Sequence, residues 1–291
     1  MRLFISNFKG VFRIFAVFLV FFVLYNLAIF VFKPEITTYQ NQWQSNLIFA
    51  QEYMYSPHTP KSVVLGSSLA SRLDKDLLES VGIYNLAFGG GSVQSGLEII
   101  KRSNKIPQIL YIETNVLFER DVDSAMLEIL FDPLFFKMRY YLPALQEKYQ
   151  PLNIFASFIK RFGGKTNEEK RSTKRDEKIY NLTMEGFLKR YQQPLANLQN
   201  YQNRLDLFQK QLRYFENKGV KIIFFTMPID PLLAKQSRFI EEYTLLIENF
   251  SYPFLPMPKH SEYETSDGIH LLYESAQRFS EEFLKKIKDF S

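Results

Sequence analysis

The sequence contains no cysteine. Disulfide stapling and thiolate catalysis are therefore excluded, while an oxidising compartment stays open to a chain with no thiol to protect. Histidine is nearly as scarce. Only His58, His260 and His270 occur, at spacings that match no zinc-ligand pattern. Nothing among the 12 glycines resembles a nucleotide-binding loop, so neither a metal nor a cofactor is expected. A net charge of +5 is too small to mark a nucleic-acid partner, and none is expected. No internal repeat occurs.

Apolar residues are plentiful. They make up 46% of the 291 residues, with 29 phenylalanines among them. Such a length suits one compact domain of about 200 residues or more plus an anchor. From Ile14 to Phe32 the run carries no charge, and Asn26 is its only polar interruption. At about 1.5 Å per residue it spans roughly 28 Å, the thickness of a bilayer core. Arg2, Lys9 and Arg13 precede it, whereas Lys33 and Glu35 follow. That bias predicts a cytoplasmic amino terminus, with the rest of the chain translocated. No Ala-x-Ala cleavage pattern stands near residues 28–40, which favours a retained anchor over a signal peptide. A buried core helix fits less well, because the run is apolar on every face.

The expected organisation is a tail at 1–13, a transmembrane helix at 14–32, a connector at 33–60 and a catalytic domain at 61–291. Pro34, Pro57 and Pro60 punctuate the connector, and a helix is expected from Trp43 to Tyr53. From Lys61 onward, strands and helices alternate. KSVVLG, GIYNLAF, QILYIET and VKIIFFTMP read as strands, with a weaker fifth near Phe254 to Met257. Helices are expected over Ser71–Val81, Val93–Asn104 and Leu272–Phe290. This alternation predicts an α/β fold with a parallel sheet covered by helices on both sides. Between the third and fourth strands lies a helical insertion, about 120–215, far longer than one crossover needs. Within it, Phe131 to Leu145 is aromatic and reads as a packing helix after Pro133, with a membrane- or partner-facing surface as the alternative. Residues 160–178 are charged and read as a solvated loop.

Two short stretches carry chemistry. VVLGSSLAS places Ser67 and Ser68 after a strand and a glycine, at the mouth of a helix. A serine there turns its hydroxyl into a cleft, and free N–H groups at the turn suit an oxyanion. By itself the pattern more often marks a turn or N-cap. In TSDGIH, Asp267 and His270 stand three apart before an amphipathic helix. A carboxylate so placed can hold an imidazole that accepts a serine proton, although a capping turn would look the same.

Taken in order, these stretches and two between them resemble the SGNH (GDSL-like) hydrolase family. The G-x-S block of that family corresponds to Gly66, Ser67 and Ser68, which implies Ser68 as nucleophile. NLAFGGGS, from Asn85, resembles the N-x-G-x-x-G block. It implies Gly90 as an oxyanion donor, with Gly89 and Gly91 a residue to either side. ETNV resembles the G-x-N-D block and implies that Asn115 lends its side-chain amide. The last block, D-x-x-H, maps onto Asp267 and His270. The chain departs from the family pattern at Ser67, where an Asp is usual, at Ala87, and at Glu113 and Val116 beside the asparagine. The resemblance covers about 61–116 and 220–290 and implies a three-layer α/β/α sandwich. It also implies a catalytic set of Ser68, Asp267 and His270, with the oxyanion held by Ser68, Gly90 and Asn115.

An anchor ahead of such a domain is similar to the partners of membrane-bound O-acyltransferases, among them the alginate acetylation proteins and the D-alanine transfer protein of teichoic acid synthesis. The resemblance implies a serine O-acyltransferase at the bacterial cytoplasmic membrane, its domain outside, moving acetyl or a similar group onto a cell-envelope glycan. A multi-pass membrane-bound O-acyltransferase is the implied partner. An esterase acting on glycans or lipids is the second expectation, and a non-catalytic polymer-binding or scaffold subunit the third.

Overall fold

The computed structural model describes residues 2–36, 39–117, 119–162, 173–193, 195 and 198–290. In chain order the first elements are α1 (Arg2–Phe32), α2 (Gln42–Tyr55), β1 (Ser62–Leu65), α3 (Lys75–Ser80), β2 (Ile83–Asn85), α4 (Val93–Ser103) and β3 (Ile109–Glu113). The long insertion contributes α5 (Ser124–Leu130), α6 (Pro133–Tyr141), α7 (Pro151–Phe162), α8 (Glu177–Tyr191) and α9 (Leu198–Glu216). The chain then completes β4 (Lys221–Phe225), α10 (Pro231–Ala234), α11 (Ser237–Asn249) and α12 (Tyr273–Lys288). The middle of the charged loop expected at 160–178 lies outside the described residues.

Contacts divide the chain into two compact units. One comprises Met1–Gln51 and Ile129–Asn167, the other Glu52–Glu128 and Glu168–Ser291. In the larger unit, four parallel strands stand in the order β2-β1-β3-β4. Every residue of β1 is buried, as is all of β4 after its first residue, as expected of strands covered on both faces. One layer is formed by α4 and α9. Phe208 of α9 stacks on Phe224, with ring centroids 6.2 Å apart, and Leu65 fills the space where Gly96 has no side chain. The opposite layer is formed by α3 and α12, whose Phe283 packs edge-on against Tyr111 at 5.4 Å and at a tilt against Phe225 at 4.9 Å. The insertion thus ends in α9, which serves as the crossover helix into β4.

In the larger unit the strand expected at GIYNLAF is shortened to Ile83–Asn85, and two further elements differ. The single helix at Ser71–Val81 is broken into a 3-10 turn at Ala70–Arg72 and α3. Asp74, in extended conformation, accepts from the N–H groups of Asp76 and Leu77 and restarts the helix as its N-cap. The fifth strand is reduced to one bridge between Phe224 and Phe254. Pro253, Pro256 and Pro258 remove the donors that a longer ladder would need.

In the smaller unit, α1 is long and apolar enough over Lys9–Phe32 to be a membrane span or a signal sequence. The helix starts well before Ile14, so the tail expected at 1–13 is helical from Arg2.

Candidate active site

Strands β1, β2 and β3 run in the same direction, so the loops that follow them emerge along one edge of the sheet. Ser68 follows β1, Gly90 follows β2 and Asn115 follows β3. The loop Thr265–Leu271 reaches the same edge from the carboxy-terminal side, pinned by a bridge between its two ends. Gly268 turns this loop at φ +101°, a region that favours glycine, and a side chain there would strike the Met184 sulfur. The Gly268 carbonyl accepts from the Asp230 N–H at 2.8 Å, fixing the loop to the chain after β4.

Ser68, His270 and Asp267 form one hydrogen-bonded chain. His270 Nε2 lies 2.8 Å from Ser68 Oγ, and His270 Nδ1 lies 2.7 Å from Asp267 Oδ2. The other carboxylate oxygen of Asp267 accepts from the main-chain N–H groups of His270 at 2.8 Å and Ile269 at 3.1 Å. Burial pushes the Asp267 carboxyl up, but these bonds outweigh it and hold the group below its usual value. An ionised Asp267 can only accept, so the proton of the imidazole sits on Nδ1. Nε2 then presents a lone pair, and the Ser68 hydroxyl donates to it. That arrangement can withdraw a proton from Ser68 as its oxygen attacks a carbonyl.

The expected oxyanion donors are placed less uniformly. Among the described residues, the N–H groups of Ser68 and Gly90 meet no acceptor. Gly90 stands exposed at φ +66°, with its carbonyl held by Arg120 Nη1. Asn115 is buried and paired with the main chain of Met227. Its Nδ2 donates to the Met227 carbonyl at 2.9 Å, and its Oδ1 accepts from the Met227 N–H at 2.7 Å. The side chain therefore continues the β3–β4 pairing past the strand ends, leaving one amide hydrogen for any other role.

One residue of the site has no part in the expected catalytic or oxyanion set. Glu113, fully buried at the end of β3, accepts from the Ser67 N–H, the Ser67 hydroxyl and, at 3.4 Å, the Ala70 N–H. Burial raises its carboxyl above the ordinary value, against the lowering effect of these donors and of His270. Gly66 makes room for it: a Cβ there would lie 2.7 Å from Glu113 Oε2 and 2.4 Å from the Ala70 Cβ.

No protein-family model and no curated protein matches the sequence. Two solved structures align over most of the chain. One is a Bacteroides fragilis protein provisionally called an acylhydrolase. It covers 86% of this chain and 99% of its own, at 11% identity and a TM-score of 0.43. The other is TesA, covering 79% of this chain and 99% of its own, at 13% identity and a TM-score of 0.38. At these values neither assigns this chain an activity.

Proposed function

We propose that this protein is a serine acyl-transfer enzyme of SGNH type, with Ser68 as nucleophile, His270 as general base and Asp267 as the carboxylate that orients the imidazole. The single observation that carries this reading is the continuous chain from Ser68 Oγ through His270 to Asp267. It joins residues about 200 positions apart with the donors and acceptors in the right order. In the first half-reaction Ser68 Oγ bonds to the acyl carbon as His270 takes its proton. The tetrahedral adduct collapses, and the leaving alcohol departs with that proton. In the second half, a hydroxyl gives its proton to His270 while attacking the acyl-Ser68 ester, and Ser68 recovers the proton. The Ser68 and Gly90 N–H groups are the donors for the oxyanion, with the remaining Asn115 amide hydrogen as a third. Each such donor is typically worth about 3–4 kcal/mol of barrier.

The finer reading is an O-acyltransferase held in the bacterial cytoplasmic membrane by α1, with the larger unit outside, acting on a cell-envelope glycan. The charge bias around residues 14–32 supports the orientation, and the resemblance to partners of membrane-bound O-acyltransferases supports the acceptor. An esterase is the second reading, since the same three residues would serve it equally.

The test is covalent capture. Full-length protein in detergent is treated with a fluorophosphonate, digested and mapped by mass spectrometry. The adduct is expected on Ser68 and to vanish in Ser68→Ala and His270→Ala. An adduct on Ser67 moves the nucleophile by one residue. No adduct on either serine, with no hydrolysis of an activated aryl ester, favours the non-catalytic subunit.

A further inference from the structure

Two helices of the smaller unit are built inside out. Helix α7 turns Asn153 and Ser157 inward and leaves Leu152, Phe155, Phe158 and Ile159 exposed. Asn153 is 2% exposed and Phe155 62%. The buried asparagine donates to the Glu147 carbonyl at 2.9 Å and accepts from Gln40 Nε2 at 3.3 Å. Helix α6 repeats the pattern. Its buried residue is Arg139, which donates to the carbonyls of Ile129 and Leu145, while Leu134, Phe135 and Tyr141 face outward. Water would favour the opposite arrangement on both helices.

The connection to α1 indicates what covers these faces. Asn26, the one polar residue in the apolar run, accepts from the Ala144 N–H at 3.0 Å and donates to the Phe22 carbonyl at 2.9 Å. One residue earlier, the Tyr25 hydroxyl donates to the Tyr149 carbonyl at 2.6 Å. The segment joining α6 to α7 is thus bonded to α1 six residues before the helix ends at Phe32. At 1.5 Å per residue that is about 9 Å from the end of the span. With 9 and 12 residues, α6 and α7 are about 14 and 18 Å long, too short to cross a bilayer core of about 30 Å.

We propose that α6 and α7 lie in the membrane interface beside α1, with their exposed Leu, Phe and Tyr side chains among lipid acyl chains and headgroups. The occupant of this surface is the bilayer itself. The inference rests on the reading of α1 as a retained anchor. The pairing with α1 places the segment between these helices about 9 Å along α1 from its end at Phe32, close to the boundary region in which interfacial amphipathic helices bury their apolar side. The inward polar groups complete the picture. Away from water a buried Arg139 or Asn153 needs internal partners, and both have them. On this reading the outward side of the aromatic part of the insertion faces lipid, the alternative expected for it.

Because the chain has no cysteine, single sites can be labelled without background. Full-length Phe155→Cys, Phe158→Cys, Val20→Cys and Asn217→Cys are nitroxide-labelled and reconstituted into phosphatidylcholine–phosphatidylglycerol vesicles. Depth is read from the relative accessibility to oxygen and to a water-soluble nickel chelate, after circular dichroism shows that each variant is folded. Labels at 155 and 158 are expected roughly 5–10 Å below the phosphates, the label at 20 deeper, and the label at 217 in water. Labels at 155 and 158 as wet as that at 217, with 20 in hydrocarbon, overturn the proposal and leave the anchor standing. A wet label at 20 removes the anchor and the proposal with it. Labels at 155 and 158 shielded from both reagents and coupled to one another between molecules assign the surface to a second copy instead of lipid.

Discussion

Glu113 accepts hydrogen bonds from both the main-chain N–H and the hydroxyl of Ser67, at 2.7 Å and 2.9 Å. It thereby clamps the residue next to Ser68 from inside the sheet. Glu113→Ala would strand the buried N–H of Ser67, which costs about 1–3 kcal/mol of stability. A turn free to shift by about an ångström lowers turnover by roughly a hundredfold. Glu113→Gln keeps an oxygen for the N–H groups and can donate to the Ser67 hydroxyl, so it should recover most of both losses. A positioning role predicts that kcat falls while KM for an aryl ester stays unchanged. Wild-type kcat in Glu113→Ala would remove Glu113 from the site.

Asp267→Asn separates orientation from charge. An asparagine oxygen can still accept from the N–H groups of Ile269 and His270, which hold the loop. Its amide, however, can donate to Nδ1, and the imidazole proton would then move to Nε2, where it blocks proton withdrawal from Ser68. The expected loss in kcat is on the order of 10⁴, by comparison with the same change in a serine protease. Thermal stability should change little. A variant retaining more than a tenth of wild-type turnover would show that the carboxylate is dispensable.

Much of this was legible in the sequence because it is local. The Gly-Ser-Ser turn and the D-x-x-H loop are each read within six residues, and β1, β3 and β4 are short apolar runs that match the observed strands closely. Glu113 was legible only as a departure from a family pattern. Its partner Ser67 is another departure, 46 residues away, and only the adjacency of β1 and β3 shows that the two compensate each other. The pairing of Asn115 is likewise hidden, because its partner Met227 lies on the chain beyond β4, 112 residues on. In α7 the spacing of Leu152, Phe155 and Ile159 reveals a stripe but not its direction. An apolar stripe points inward by default in water, and only the buried Asn153 shows the reverse.

Glu242 carries a pH dependence. Burial, with the charge of Glu119, pushes its carboxyl up to about 7, against the lowering effect of Arg238 and Arg190. Between the ordinary carboxylate range and pH about 7, the folded chain keeps a proton that the unfolded chain has released. Stability therefore falls as pH rises through that window and levels off above it. The contribution is roughly 1–3 kcal/mol. Glu242→Gln has nothing to titrate and can still accept from Arg238, which bonds the carboxylate at 3.1 Å. Melting temperatures at pH 5 and pH 8 should differ less in the variant than in the wild type. Parallel profiles would place the titrating group elsewhere.

Transfer and hydrolysis part at the acyl-enzyme, where water and a glycan hydroxyl compete for the same base. His270 treats them alike, so the outcome turns on position. A bound hydroxyl aligned with the ester gains an effective molarity that can reach about 10⁵–10⁸ M in well-oriented systems, whereas water gains nothing from binding. If this protein is a transferase, the isolated chain should hydrolyse an acetyl donor slowly, and the right acceptor should raise acyl turnover. The readout is mass spectrometry of candidate envelope glycans of distinct chemistry, measured against released acetate. Acetylated glycan in excess of acetate supports transfer. Fast acetate release that no acceptor alters, together with removal of acetyl groups from a preacetylated glycan, would leave the esterase. The Ser68→Ala chain must abolish either activity, because both pass through the same ester. Product that persists in that variant would come from a route outside the Ser68–His270–Asp267 chain and would sink both readings together.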